Sequence, residues 1–300
     1  MHIIKKIRRQ IYFYGAWMFS KLFLLIPYKV AVGRIAEFFG KIAPHLTRDA
    51  VDIAKENLKN CFPQKTSAEI KEIVSEVFVN QARNFFELAN FPKVDEKFLS
   101  DIVKIENENL LWDGINKKKG VLIVSAHTGN WEMTAAAVAA LGVPVNVVAK
   151  KIYVDGLNEM LVGYRIQKKV NVILKDSKDT ARNLLRALRR GEIIAMLIDQ
   201  DTNVPSVFVD FFGKKAHTPS GLAALALRTG AEVLLGVDRR DGKFNHTTVI
   251  EGPLAVEPSG DKNQDIVNLT QVATSRLEMF IRKYPQQWVW FHKRWNTQPE

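Results

Sequence analysis

His127 and Glu132, in the segment S-A-H-T-G-N-W-E, are the residues whose types and spacing suit chemistry. An imidazole can take a proton from an attacking hydroxyl, and a carboxylate beside it can fix the ring tautomer and stabilise the imidazolium that forms. Five residues apart on one continuous helix, the two side chains would point about 140° away from each other. They meet only if the chain turns at Gly129 and Glu132 falls in the first turn of a helix, its carboxylate folding back to one ring nitrogen. A helix start there also offers N–H groups to an oxyanion or a phosphate, with Asn130 as a further side-chain donor. The same residues have a structural reading: Thr128 or Asn130 as the helix cap, Trp131 as core, Glu132 as a first-turn acid opposite the helix dipole.

The competing signatures of an α/β site are absent: no G-x-S-x-G, H-E-x-x-H, G-x-x-x-x-G-K-S/T or G-x-G-x-x-G occurs. Cys61 is the only cysteine and sits far upstream in a helical stretch, which excludes an intramolecular disulfide and argues against a covalent cysteine route. Direct transfer between two bound substrates is then the natural use of the histidine.

From Gly120 onward short apolar runs alternate with helical patterns. V-L-I-V-S-A, V-N-V-V-A, V-N-V-I-L, I-I-A-M-L-I and V-L-L-G-V read as strands buried on both faces. Helices are expected at 131–141, 155–168, 178–190, 219–229 and 263–284. Strands alternating with helices imply a mostly parallel central sheet flanked by helices, an α/β fold. His127 then stands at the carboxyl end of a strand, where such sheets bind ligands. Residues 48–104 read as helical, with a break at Phe62-Pro63.

The chain carries 43 Lys and Arg against 32 Asp and Glu, a net +11 over 300 residues, so an anionic partner is expected. Nucleic acid, anionic lipid and an acidic carrier protein all satisfy that, but no nucleic-acid-binding signature is present, and none is expected as a partner. The first ten residues are basic, and 11–32 are rich in aromatic and aliphatic side chains. Lys21 divides that stretch into apolar runs of about ten and about seven residues, and Pro27 kinks it, short of the roughly 20 residues of a clean span. A helical segment over 1–45, interfacial or tilted at a membrane, followed by one α/β domain over 46–300, is the expected organisation.

H-T-G-N-W-E resembles the H-x-x-x-x-D/E motif of the bacterial lipid A biosynthesis acyltransferases, the lauroyl and myristoyl transferases. Further blocks agree in order: A-K-E-N-L-K-N-C-F-P, D-Q-D at 199–201, V-D-F-F-G-K-K-A-H-T-P-S-G-L, and Y-P-Q-Q-W-V-W-F-H-K-R-W near the end. Gln286 stands where the family often has Glu, and Lys293 precedes the expected Arg294. The resemblance implies a glycerolipid-acyltransferase-like fold at the cytoplasmic face of the inner membrane. It also implies transfer of a fatty acyl chain from acyl carrier protein to a hydroxyl of a lipid A precursor; no cofactor or metal is expected. Acyl-CoA-dependent mannolipid acyltransferases belong to the same family, so donor and glycolipid stay open.

Carried over by position, His127 is the base and Glu132 its partner, while Asn130, Arg165, Asp199, Gln200 and Thr218 are expected to bind substrate. Arg165 matches a family arginine suited to an acceptor phosphate. Asp199 and Asp201 should face the same cleft, holding its loops rather than a metal. His217 and Thr218 before Pro219 make a second helix start and a possible anion cradle. Trp288, Trp290, Phe291 and Trp295, interleaved with His292, Lys293 and Arg294, suit either a membrane-interface surface or, for half of them, the core.

Overall fold

The computed structural model describes residues 20–175 and 177–299, together with residue 10, residues 13–15 and residues 17–18. Much of the basic and apolar N-terminal stretch expected to anchor the chain, including residues 1–9, lies outside the described residues. Among the described residues no helix is long and apolar enough to cross a membrane.

A π-helical turn, Val30–Ile35, leads into α1 (Ala36–Leu46), α2 (Arg48–Cys61), α3 (Ser67–Ala89) and α4 (Glu96–Ile102). Helix α3 begins at a capping box: the Thr66 side chain accepts from the Glu69 N–H while the Glu69 carboxylate accepts from the Thr66 N–H. Strands and helices then follow as β1 (Val103–Glu106), α5 (Asn109–Asn116), β2 (Val121–Ser125), α6 (Trp131–Ala140), β3 (Val145–Ala149), α7 (Asp155–Gln167), β4 (Val170–Leu174), α8 (Thr180–Arg189) and β5 (Ile193–Leu197). The hairpin β6 (Ser206–Phe211) and β7 (Lys214–Pro219) precedes α9 (Gly221–Thr229), β8 (Glu232–Asp241), β9 (Asn245–Glu251) and α10 (Lys262–Lys283).

Seven strands form one sheet in the order β1-β9-β8-β2-β5-β3-β4. The run from β8 to β4 is parallel; β9 is antiparallel to β8 and carries β1 parallel to itself. The sheet is thus mostly parallel and flanked by helices, as the alternating pattern predicts. Every residue of β2 is buried, which is why its sequence shows no polar alternation. Leu122, Val124 and Ile194 face a core shared with α8, α9 and α10, while Val121, Ile123 and Ile193 face Ala135 and Val138 of α6. Phe23 and Val32, which precede α1, and Ala36 at its start cluster against Phe86 of α3.

One expectation changes, and one open alternative is decided. Pro219 ends β7 instead of opening a helix, and α9 starts at Gly221, so His217 and Thr218 are strand residues paired with Phe208 and Val207. The C-terminal aromatic stretch is largely interior: Trp288 and Trp290 are completely buried and Arg294 nearly so.

Candidate active site

The β2–β5 pairing is parallel, with Ser125 opposite Leu197. Two residues further along each strand lie His127 and Asp199, which the register therefore brings level at the carboxyl edge of the sheet. Asp199 holds the histidine twice. Its Oδ1 lies 2.9 Å from His127 Nδ1, and its Oδ2 accepts the His127 backbone N–H at 2.8 Å. Oδ2 also accepts from Trp288 Nε1 at 2.8 Å. Burial alone would push the Asp199 carboxyl up, but the His127 ring and these donors outweigh it and hold it well below the usual carboxylate range. An ionised Asp199 accepts from Nδ1–H and leaves Nε2 of His127 as the basic nitrogen. The Asp199 side chain is fully buried while that of His127 is 23% exposed, so the ring is the reachable member of the pair. The Trp131 ring stands nearly perpendicular to the same ring, centroids 4.8 Å apart.

Glu132, expected to orient His127, does something else. It lies in the first turn of α6, as predicted, but both carboxylate oxygens accept from Arg165 of α7, Nε at 2.9 Å and Nη2 at 2.5 Å. The orienting hydrogen bond belongs to Asp199. The reason is local: Asn130 caps α6, accepting the N–H groups of Glu132 and Met133 on Oδ1, and this fixes Glu132 where its side chain meets α7. Asn130 is correspondingly withdrawn from substrate. It is buried, its Nδ2 donates to Glu87 Oε2 at 2.6 Å, and its N–H donates to Asp238 Oδ2 at 2.6 Å.

The turn from His127 to Asn130 rests on a buried polar cluster that sequence reasoning missed. Asn84 donates to the Gly129 carbonyl, Gly129 N–H donates to the Gln287 carbonyl, and Arg240 spans Asn84 and Glu87 at 2.6 Å to each. His246 lies between Asp238 (2.8 Å) and Glu87 (3.2 Å). Burial opposes its protonation, but the two carboxylates prevail and raise its pKa to about 9. Gly129 has φ +52°, and a Cβ there would sit 2.3 Å from Asp238 Oδ2. Only glycine fits. A signal for the cluster was present: V-D-R-R continues the apolar run of β8, and charges inside a buried strand require partners.

Thr218 is another residue the structure removes from the substrate cleft. It is fully buried, and its Oγ1 accepts from Arg294 Nη2 at 2.5 Å. Asp201 pairs with His217 at 2.9 Å and accepts the Thr297 N–H, so it holds loops together, as expected. Among the described residues no group of three or more His, Cys, Asp or Glu could hold a metal.

His127 opens on a cavity of about 430 Å³, in the range of small-molecule sites. It runs from the carboxyl edge of the sheet down beside α6, lined by Ile123, Ala135, Val138, Val145, Ala195 and Gly236. Small residues Ala135, Ala195 and Gly236 leave the space that larger side chains would fill. Gln200, Glu132 and Arg165 line it with His127, and so do Lys150 and Lys175, which follow β3 and β4. A basic nitrogen at the opening of an apolar slot fits a reagent with one long hydrocarbon arm and a polar reacting group.

The sequence profile of the bacterial lipid A biosynthesis acyltransferases matches residues 3–297. The chain is 26% identical over 285 residues to the lipid A biosynthesis lauroyltransferase of Escherichia coli, covering 93% of this chain and 89% of that protein. It is 24% identical over 230 residues to the phosphatidylinositol mannoside acyltransferase of Mycolicibacterium smegmatis, covering 75% and 72%. To the lipid A biosynthesis myristoyltransferase of Escherichia coli it is 23% identical over 279 residues, covering 89% and 80%.

Proposed function

Because this chain belongs to the bacterial lipid A biosynthesis acyltransferase family and is an acyltransferase, we propose that it moves a fatty acyl group from an acyl carrier protein thioester to a hydroxyl of a lipid A precursor in a late acylation step. The observation that carries the reading is the pair at the cavity mouth: His127, reachable, with Nδ1 fixed by the buried carboxylate of Asp199. The acyl chain occupies the apolar cavity and presents its carbonyl near His127. Nε2 removes the proton as the acceptor hydroxyl attacks, and Asp199 stabilises the imidazolium. Glu132 and Arg165, locked together on adjacent helices, shape the polar side of the opening, where the Nη1 of Arg165 serves an anionic acceptor group.

The surplus of eleven positive charges favours both an acidic carrier protein and an anionic membrane surface. Membrane contact is further supported by apolar side chains left in solvent around the N-terminal helices: Leu25 is 81% exposed, Leu46 78% and Phe38 61%. The inner membrane's cytoplasmic face, where acyl carrier protein is present, is the proposed site of action.

The relatives named for phosphatidylinositol mannoside support a second reading, transfer to a mannolipid, for which we take acyl-CoA as the donor to be tested. One assay separates them: purified chain with acyl carrier protein thioesters or acyl-CoA, each against a lipid A precursor or a phosphatidylinositol mannoside. Transfer to the lipid A precursor with the carrier-protein donor is expected. Turnover only with acyl-CoA and the mannolipid would replace the first reading with the second.

A further inference from the structure

Gln200 lies directly against His127. Its amide nitrogen is 3.1 Å from Nδ1 and 3.3 Å from Nε2 of the ring. Near-equal distances to both ring nitrogens place the amide over the ring, not in line with one lone pair, and the Nδ1 proton is already directed at Asp199. The same amide nitrogen contacts Nε2 of His292 at 2.7 Å. A primary amide carries two N–H bonds. One is committed to His292, and the other lies against the His127 ring, at the wall of the cavity that Gln200 helps to line.

His292 is suited to be the acceptor in that contact. Burial, with His127 nearby, lowers its pKa and favours the neutral ring. Its position is fixed by Asn57, whose Nδ2 donates to the carbonyls of Trp290 at 2.8 Å and His292 at 2.9 Å.

Other donors that the sequence offered for a developing negative charge are engaged within the protein. The Asn130 amide serves Glu87, the Glu132 and Met133 N–H groups serve Asn130, and two nitrogens of Arg165 serve Glu132.

We propose that Gln200 is a catalytic residue whose second Nε2–H, resting against the His127 ring, donates to the carbonyl oxygen as it becomes an oxyanion, with His292 as the positioning residue that aims it. The inference rests on the acyl-transfer reading. The acceptor hydroxyl gives its proton to His127 Nε2, its oxygen forms the new C–O bond, and the carbonyl π pair moves onto oxygen. Gln200 donates to that oxygen. On collapse the C=O bond re-forms, the C–S bond breaks, and the leaving sulfur takes the proton from His127, giving ester and thiol. Over a neutral ring the amide gains little; facing an oxyanion it gains a charged acceptor, so the interaction strengthens in the transition state.

The test measures steady-state transfer by the full chain carrying Gln200→Met, Gln200→Glu, His292→Gln or His292→Phe, with His127→Ala as the inactive reference. Gln200→Met keeps the bulk and removes both N–H bonds; it should lower kcat by roughly 10²–10³-fold and leave KM within about threefold. Gln200→Glu should do no better, because a carboxylate would face the oxyanion. His292→Gln, which can still accept through Oε1, should retain more kcat than His292→Phe. A Gln200→Met variant that raises KM and spares kcat, or a Gln200→Glu variant as fast as wild type, would overturn the proposal. A Gln200→Met variant that melts with wild-type Tm rules out a folding defect. Wild type that transfers no faster than His127→Ala would instead defeat the acyl-transfer reading itself.

Discussion

Asp199→Asn isolates the tautomer argument. In the native site Oδ2 accepts two donors, the His127 N–H and Trp288 Nε1–H, each at 2.8 Å, while Oδ1 alone faces His127 Nδ1. An asparagine has one oxygen, and two of the three positions require it on the Oδ2 side. Its NH₂ group is therefore driven to the Oδ1 side, where it meets Nδ1. Nδ1 must become the acceptor, the ring proton moves to Nε2, and the cavity-facing nitrogen loses its lone pair. In histidine–carboxylate pairs that depend on this tautomer the loss is roughly 10⁴-fold in kcat. That corresponds to about 5.5 kcal/mol at 1.36 kcal/mol per tenfold. Two of the three hydrogen bonds survive and the third reverses its direction, all without the carboxylate charge, so stability should fall by only about 1–2 kcal/mol. Transfer kinetics with KM resolved, a thermal melt, and ¹⁵N shifts of the His127 ring together read out the prediction. An Asp199→Asn variant within tenfold of wild type, or one whose ring proton stays on Nδ1, would refute the reasoning. If Glu132→Gln moved that proton instead, Glu132 would regain the orienting role.

Gly129→Ala should cost at least about 2–3 kcal/mol and abolish transfer, because the new Cβ meets Asp238 in a left-handed turn; a variant with wild-type Tm would show that the turn relaxes freely. His246 has a folded pKa of about 9 against 6.5, so its contribution is complete below about pH 6.5 and is lost as pH rises through 9. The unfolding free energy of wild type from urea titrations should fall between pH 7 and 10 by up to about 3 kcal/mol, more steeply than that of His246→Asn, and parallel slopes would contradict this. Ala195→Leu places bulk in the apolar cavity and should shift preference toward shorter acyl donors, measured by competition between thioesters of different length; an unchanged preference would mean the chain lies elsewhere.

Strong local signals carried much of the fold. The five apolar runs from Val121 onward are strands, and α6, α7, α8 and α10 end within two residues of their expected limits. β9 escaped because N-H-T-T-V-I-E buries polar residues, His246, Thr247 and Thr248, whose partners come from distant elements. Pro219 misled because a proline before an alanine-rich helix favours its first turn, whereas the hairpin with β6 claims it here. In the site, His127 was legible from the switch between strand and helix patterns. Asp199 was visible as a cleft residue, but its hold on His127 was not, because it depends on β2–β5 register across 72 positions. The five-residue spacing drew attention to Glu132, whose partner Arg165 comes from another helix. Trp288 and Arg294 gave an ambiguous signal: aromatic and basic residues together suit a membrane surface, yet here the indole orients Asp199 and the guanidinium closes the core.

The most direct measurement is acyl transfer from carrier-protein thioester to a lipid A precursor by wild type and by His127→Ala, with folding of both verified by thermal melt. The account predicts turnover by wild type and loss of at least about 10³-fold in His127→Ala at unchanged Tm. Near-normal transfer by His127→Ala would contradict it.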